Sequence, residues 1–153
     1  MSEIINQLSM QIPAKSENES FARSVVAAFC VSLNPTIDEI SDIKTAVSEA
    51  VTNCVVHAYQ KRQSNDDLIT IDCKLYPEML EVKISDQGVG IANINQAMEP
   101  FYTTEPNSER SGMGFTVMQS FMDTIFVNNQ VGGGTVVVMQ KMFTKDKKKV
   151  SGE

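Results

Sequence analysis

The chain has 153 residues, enough for one domain with a sizeable core. Its formal charge of −6 argues against sequence-independent nucleic-acid binding, which needs clustered Lys and Arg, and its 42% hydrophobic and 21% charged residues are ordinary for a globular protein. Cys30, Cys54 and Cys73 are an odd number with no Cys-x-x-Cys, so they are expected to be reduced core residues, and a single histidine, His57, argues against a zinc site.

Residues 7–12 alternate polar and apolar and predict a first or edge strand, stopped by Pro13. Ser16 or Asn18 can cap a helix running through Phe21, Val25, Ala28, Phe29 and Leu33, which Asn34-Pro35 ends. Thr36, with Glu39 three residues later, makes a capping box for a second helix reaching about Tyr59. Its apolar stripe is Ile40, Ile43, Val47, Val51, Cys54 and Ala58. After a polar loop over 61–67, Ile69, Ile71, Cys73 and Leu75 mark a half-buried strand. Pro77-Glu78 turns the chain, and Leu80, Val82 and Ile84 lead the returning strand to Asp86. From Gly88 to Gly112 regular pattern is weak, as in functional lids or disordered segments. A short helix starts at Met113 or Gly114, and strands over 124–131 and 135–143 are joined by Gly132-Gly133-Gly134.

This order, β-α-α-β-β-loop-α-β-β, has too few helices to cover both faces of a sheet. The expected fold class is an α/β (α+β) two-layer sandwich, a mixed, mainly antiparallel sheet with helices on one face. Residues 1–144 form the domain, and 145–153 a flexible tail whose Lys145-Asp146-Lys147-Lys148-Lys149 is the one basic cluster. There is no basic n-region followed by an apolar h-region, and no apolar run nears the ~20 residues of a membrane span, so a cytoplasmic location without membrane contact is expected.

Glu49, Asn53 and His57, spaced i, i+4 and i+8, line one side of the second helix. They can be a solvated polar face. Alternatively, the Asn53 amide oxygen can ligate Mg²⁺ and Glu49 can take a proton from an attacking hydroxyl. Asp86-Gln87-Gly88-Val89-Gly90 can be an ordinary turn after a strand, or a carboxylate aimed into a crevice beside glycines that permit close backbone approach. Arg110-Ser111-Gly112-Met113-Gly114 can be a hinge, or a phosphate-binding helix start with a fixed positive charge. Gly132-Gly133-Gly134-Thr135 reads as a hairpin turn whose hydroxyl could also contact a base. Neither a phosphate loop of the Gly-x-x-x-x-Gly-Lys type nor a kinase His-Arg-Asp is present.

Taken in order, these boxes resemble the GHKL ATPases, a superfamily that includes gyrase and the histidine kinases and shares the Bergerat ATP-binding fold. Ser16-Glu17-Asn18-Glu19-Ser20-Phe21-Ala22-Arg23, Ser48-Glu49-Ala50-Val51-Thr52-Asn53 and Glu109-Arg110-Ser111-Gly112-Met113-Gly114-Phe115 are similar, more closely, to the sporulation anti-sigma F family of protein-serine kinases. The likeness runs from about Gln7 to Phe143. It implies ATP and Mg²⁺ as cofactors, Asn53 as the metal ligand and Glu49 as the catalytic base. It implies that Asp86 accepts from the adenine amino group with Gly88, Gly90 and Thr135 nearby. The segment from about 99 to 111 would be the ATP lid, with Arg110, Gly112 and Gly114 at the phosphates, Thr104, Ser111 and Met113 among the nucleotide-binding residues, and His57 near the phosphate path. Glu105 stands where the family often has lysine. The implied partners are a sigma F factor, contacted by Arg23, and an anti-anti-sigma protein whose serine receives the γ-phosphate, with the kinase a homodimer. Two other functions fit the same motifs: a nucleotide-gated sigma-binding module with little catalysis, and a stand-alone ATPase module of the histidine-kinase type. The last is weakened because no helical segment bearing a phospho-acceptor histidine precedes the nucleotide helix.

Overall fold

Alternation along the strand segments dictates a sheet with one apolar face, and the computed structural model, which describes residues 3–98 and 114–144, builds it from five strands. They are β1 (Asn6–Pro13), β2 (Leu68–Tyr76), β3 (Met79–Asp86), β4 (Thr124–Asn129) and β5 (Thr135–Met142). Their order is β1-β2-β3-β5-β4, and each of the four pairings is antiparallel. Ile69, Ile71, Cys73 and Leu75 of β2 and Leu80, Val82 and Ile84 of β3 point to the same side and are buried, whereas Asp72, Lys74, Glu81 and Lys83 face away. The register sets Ile69 opposite Asp86, so the carboxylate reaches the rim of the sheet beside the core.

The apolar face is covered by α1 (Glu17–Phe29), α2 (Ile37–Asn53) and α4 (Gly114–Phe121); a single turn, α3 (Ile94–Ala97), lies between. Central α2 packs against both α1 and α4 and buries Ile43, Ala46, Val47, Ala50 and Val51. It starts where the sequence predicts: Thr36 Oγ1 accepts from the Glu39 N–H (3.0 Å), and Glu39 Oε1 accepts from the Thr36 N–H (2.9 Å). Glu39 Oε2 also accepts from the N–H (3.1 Å) and hydroxyl (3.2 Å) of Thr144, tying the helix start to the chain leaving β5. Lys141 joins three elements, donating to Asp42 (2.9 Å) and to the Phe121 carbonyl at the end of α4 (2.7 Å).

The structure departs from the sequence reading at element ends. The first helix stops at Phe29, and Val31–Leu33 is a separate 3-10 turn, closed by left-handed Asn34 (φ 53°). The second helix is α-helical only to Asn53; Cys54–Ala58 widens into a π-turn in which the Tyr59 N–H donates to the Cys54 carbonyl (2.9 Å). Strand β4 ends at Asn129, two residues early. Asn93 caps α3 by accepting from the Gln96 N–H (3.0 Å), inside a stretch expected to be irregular. All three cysteines are buried free thiols, as expected. No helix among the described residues is long and apolar enough to cross a membrane. The lid segment expected at 99–111 and the tail 145–153 lie outside the described residues.

Because Glu39 satisfies donors from both α2 and the end of β5, Glu39→Ala should cost about 2 kcal/mol in urea unfolding, and Thr36→Ala, which removes one cap bond, about 1 kcal/mol.

Candidate functional site

Between the end of α2 and the rim of the sheet lies a cavity of about 520 Å³. The end of α2 and its π-turn supply Ala50, Asn53, Cys54 and His57; β3 supplies Asp86 and β5 Thr135. Gly90 and Ile91 close one side, and Gly114 with Phe115 bring the start of α4 to the other.

Asp86 is 4% exposed. Its Oδ1 accepts from the backbone N–H groups of Gly88 (2.9 Å) and Thr135 (3.2 Å), and its Oδ2 accepts from the Cys54 thiol (3.6 Å). Burial raises its pKa above the ordinary carboxylate value, and these three donors oppose that rise. The same burial, with the neighbouring carboxylate, pushes the Cys54 thiol well up, so it remains a thiol and a donor. Gln130 anchors the main chain here by donating to the Asp86 carbonyl (2.6 Å).

Asn53 ends α2, and α4 begins against it. A Cβ placed on Gly114 would lie 2.9 Å from Asn53 Nδ2 and 3.0 Å from Oδ1, so any larger residue would have to push the Asn53 amide aside. At Gly134 the constraint is severe. Its φ is +91°, and a Cβ would meet the Asp86 carbonyl oxygen at 1.9 Å. The glycine turn is a hairpin, as predicted, and it also lets β5 start close enough for Thr135 to bond Asp86.

The structure thus brings Asn53, His57, Asp86, Gly90, Gly114 and Thr135 to one cavity. Glu49 lies one turn before Asn53, half-buried and back from the lining, with Oε1 shielded from solvent. Gly88 also stands back; its place is against Ala58, whose carbonyl oxygen a Cβ would meet at 2.3 Å. Thr104, Arg110, Ser111, Gly112 and Met113 lie outside the described residues. Arg23 is elsewhere, at a shallow cavity of about 380 Å³ lined by α1 and α2, with Ile37, Ile40, Ser41, Lys44, Thr45 and Ser48. It pairs with Glu19 (3.1 Å) and donates to Ser48 (3.5 Å), while the Ser48 hydroxyl donates to Glu19. Sequence reasoning missed Cys54, Asn129 and Gln130 as site residues. Cys54 was legible only as a member of the apolar stripe, and the two amides only as polar residues before a turn.

The cavity fits an adenine nucleotide through its buried acceptor and its glycine-lined approaches. It also fits Mg²⁺ in one specific way. Asn53 lines the cavity with an amide oxygen, a hard ligand that could hold Mg²⁺ together with phosphate oxygens and water.

A family model of the histidine kinase-like ATPase domain matches residues 12–141. The chain is similar to the anti-sigma F factor of Clostridium beijerinckii, at 54% identity over 90% of this chain and 95% of that one. It is 47% identical to the anti-sigma F factor of Geobacillus thermodenitrificans over 93% of this chain and 96% of that one. Among solved structures, the RsbU and RsbW domains of a Mycobacterium tuberculosis protein superpose with a TM-score of 0.64 at 16% identity, over 90% of this chain and 32% of theirs. The catalytic domain of the histidine kinase ThkA superposes at 0.54 and 14% identity, over 90% of this chain and 98% of that one. At such identities the structural likeness speaks for the fold alone.

Asp86 also makes a stability prediction. Its folded pKa is raised above the unfolded value, so ionisation penalises the fold above the raised value and has no cost below the ordinary one. Asp86→Asn should therefore be at least as stable as the wild type at pH 7 in thermal unfolding, and the difference should vanish near pH 3. A large destabilisation at pH 7 would contradict the burial argument. Gly134→Ala should lower the melting temperature clearly, because the Cβ collides with main chain rather than with a movable side chain.

Proposed function

The chain belongs to the histidine kinase-like ATPase domain family and, within it, to the anti-sigma F factors, and from that premise we propose that it is an ATP-dependent protein-serine kinase that holds a sigma F factor inactive and phosphorylates its anti-anti-sigma antagonist. One observation carries the reading: Asp86, Asn53 and Gly114, some 60 residues apart end to end in sequence, line a single cavity. In this reading the Asp86 carboxylate accepts from the adenine amino group, discriminating against bases that present a carbonyl there. Asn53 would hold Mg²⁺, which when bound would neutralise phosphate charge. The start of α4 offers main-chain N–H groups toward the phosphates. Glu49 accepts the proton as the seryl oxygen of the antagonist bonds to the γ-phosphorus. The bond to the β,γ-bridging oxygen breaks and ADP departs. His57, Gly90 and Thr135 complete the walls, and Thr104, Arg110, Ser111, Gly112 and Met113 are further proposed nucleotide contacts. The protein acts as a cytoplasmic homodimer on one sigma subunit.

The α1–α2 groove is the proposed partner surface. Arg23 is partly exposed there, and Ile37 is 87% exposed beside it. An exposed pair such as Arg23–Glu19 contributes little to folding, so its value lies in presenting a cation. Ser48, which Arg23 touches, is the residue before Glu49, so the helix that forms one side of the groove also carries the proposed base.

A second reading, a nucleotide-gated binding module with little catalysis, is favoured by the set-back position of Glu49. Transfer of labelled γ-phosphate to the antagonist separates the two. The kinase reading expects wild-type transfer and a loss of about 100-fold or more in Glu49→Gln; equal rates in both would remove the base role, and no transfer by wild type would leave the binding module. Asp86→Asn should weaken ATP on the order of tenfold or more by calorimetry. Arg23→Glu should reduce sigma capture and leave ATP affinity within about twofold, and loss of both would place Arg23 in the nucleotide machinery.

A further inference from the structure

The segment after Asp86 forms one wall of the cavity through Val89, Gly90, Ile91 and Ala92, yet it belongs to no helix or strand. Its first half is held by the π-turn region: the Gln87 N–H donates to the Tyr59 hydroxyl (2.6 Å) and the Val89 N–H to the Ala58 carbonyl (3.1 Å). Its second half is held by one side chain. Asn129, the last residue of β4, accepts from the Ile91 N–H through Oδ1 (2.8 Å) and donates to the Ile91 carbonyl through Nδ2 (2.8 Å). The amide thus pairs with Ile91 as a strand would, using both polar groups of one residue. Gly90 fits beneath it: φ is +78°, and a Cβ would lie 3.0 Å from Asn129 Oδ1.

We propose that Asn129 is a positioning residue for the nucleotide, its two-bond pairing with Ile91 holding the 89–92 wall in place and so setting how long the nucleotide stays bound. The inference rests on the reading of this cavity as the ATP site. Asn129 itself performs no chemistry. It acts through Ile91, 38 residues back in the chain, and the adjoining Gly90, and substitutes for the strand pairing that the wall lacks. Its neighbour Gln130 does the same for the Asp86 carbonyl, so two consecutive amides at the end of β4 grip both ends of the segment.

The test uses the full chain. Amide hydrogen exchange without nucleotide reads the pairing directly: the Ile91 N–H is protected in wild type, and Asn129→Ala should exchange it at least about tenfold faster while core amides such as Ile71 are unchanged. Release of a fluorescent N-methylanthraniloyl ATP with Mg²⁺, chased by excess ATP, reads the consequence, with Asn129→Ala expected on the order of tenfold faster. Asn129→Asp is the discriminating variant. It is nearly isosteric but replaces the donor with an acceptor facing the Ile91 carbonyl, so it should release nucleotide at least as fast as Asn129→Ala. Release rates within twofold of wild type in both variants would overturn the proposal, as would wild-type behaviour of Asn129→Asp alone, which would assign the effect to packing. Failure of wild type to bind the nucleotide would instead overturn the ATP reading, and the exchange result would stand apart from it.

Discussion

A carboxylate buried at the end of a central strand needs donors, and at Asp86 they arrive from three directions: the turn after β3, the first residue of β5 and the π-turn after α2. Each donor fixes the element that carries it. Thr135 can reach Oδ1 because Gly134 lets β5 begin against the Asp86 carbonyl, and Gly88, two residues after Asp86, reaches the same oxygen from the loop that follows β3. The cost of keeping a charge at this depth is what makes the arrangement specific, since an unpaired buried carboxylate would be far more expensive than any of these bonds is favourable. Asp86 also lines the cavity, and the proposed donor from a bound base would add to these three. The floor of the cavity and the junction of α2, β3 and β5 are therefore one structure.

The central helix has to serve two surfaces. Its buried stripe, Ile43, Ala46, Val47, Ala50 and Val51, is committed to the core, which leaves two flanks. One flank faces α1 and carries Ser41, Lys44, Thr45 and Ser48 into the groove with Arg23; its end carries Asn53 and His57 into the nucleotide cavity. Ser48 and Glu49 are consecutive, so an event in the groove is one residue from the proposed base. The polar contacts on that flank, Arg23 with Glu19 and Ser48, are partly exposed and give way readily, unlike the bonds at Asp86.

What was legible in the sequence was local. The capping box of Thr36 and Glu39 needs only a spacing of three, and it formed as read. Strand alternation, with a period of two, correctly placed β2 and β3 and the face that each buries. Asn53, Asp86, Gly114 and Thr135 meet in one cavity as their order suggested. What was not legible is set by contacts between distant segments. Nothing local to Asn129 or Gln130 announces that their amides bond Ile91 and Asp86, 38 and 44 residues away. Glu39 read as a cap, and its second carboxylate oxygen, which takes Thr144 from 105 residues along the chain, had no local signature.

The π-turn shows why the glycine pattern after Asp86 was recognisable while its reason was not. A regular helix through 54–58 keeps the four-residue hydrogen-bond step; here the Tyr59 N–H reaches five residues back to Cys54, and the Lys61 N–H reaches Val55. The wider turn sets the Ala58 carbonyl against the chain leaving β3, where it accepts from the Val89 N–H and lies too close to position 88 for any Cβ. Gly88 is thus required by protein packing rather than by contact with the cavity. Gly90 is required for a different reason, a positive φ beneath the Asn129 amide. The two glycines of Asp-x-Gly-x-Gly answer to two neighbours on opposite sides of the same wall, the π-turn and the end of β4. A motif that looks like a flexible approach to a ligand is, in this fold, a segment bonded from both sides directly after the buried carboxylate.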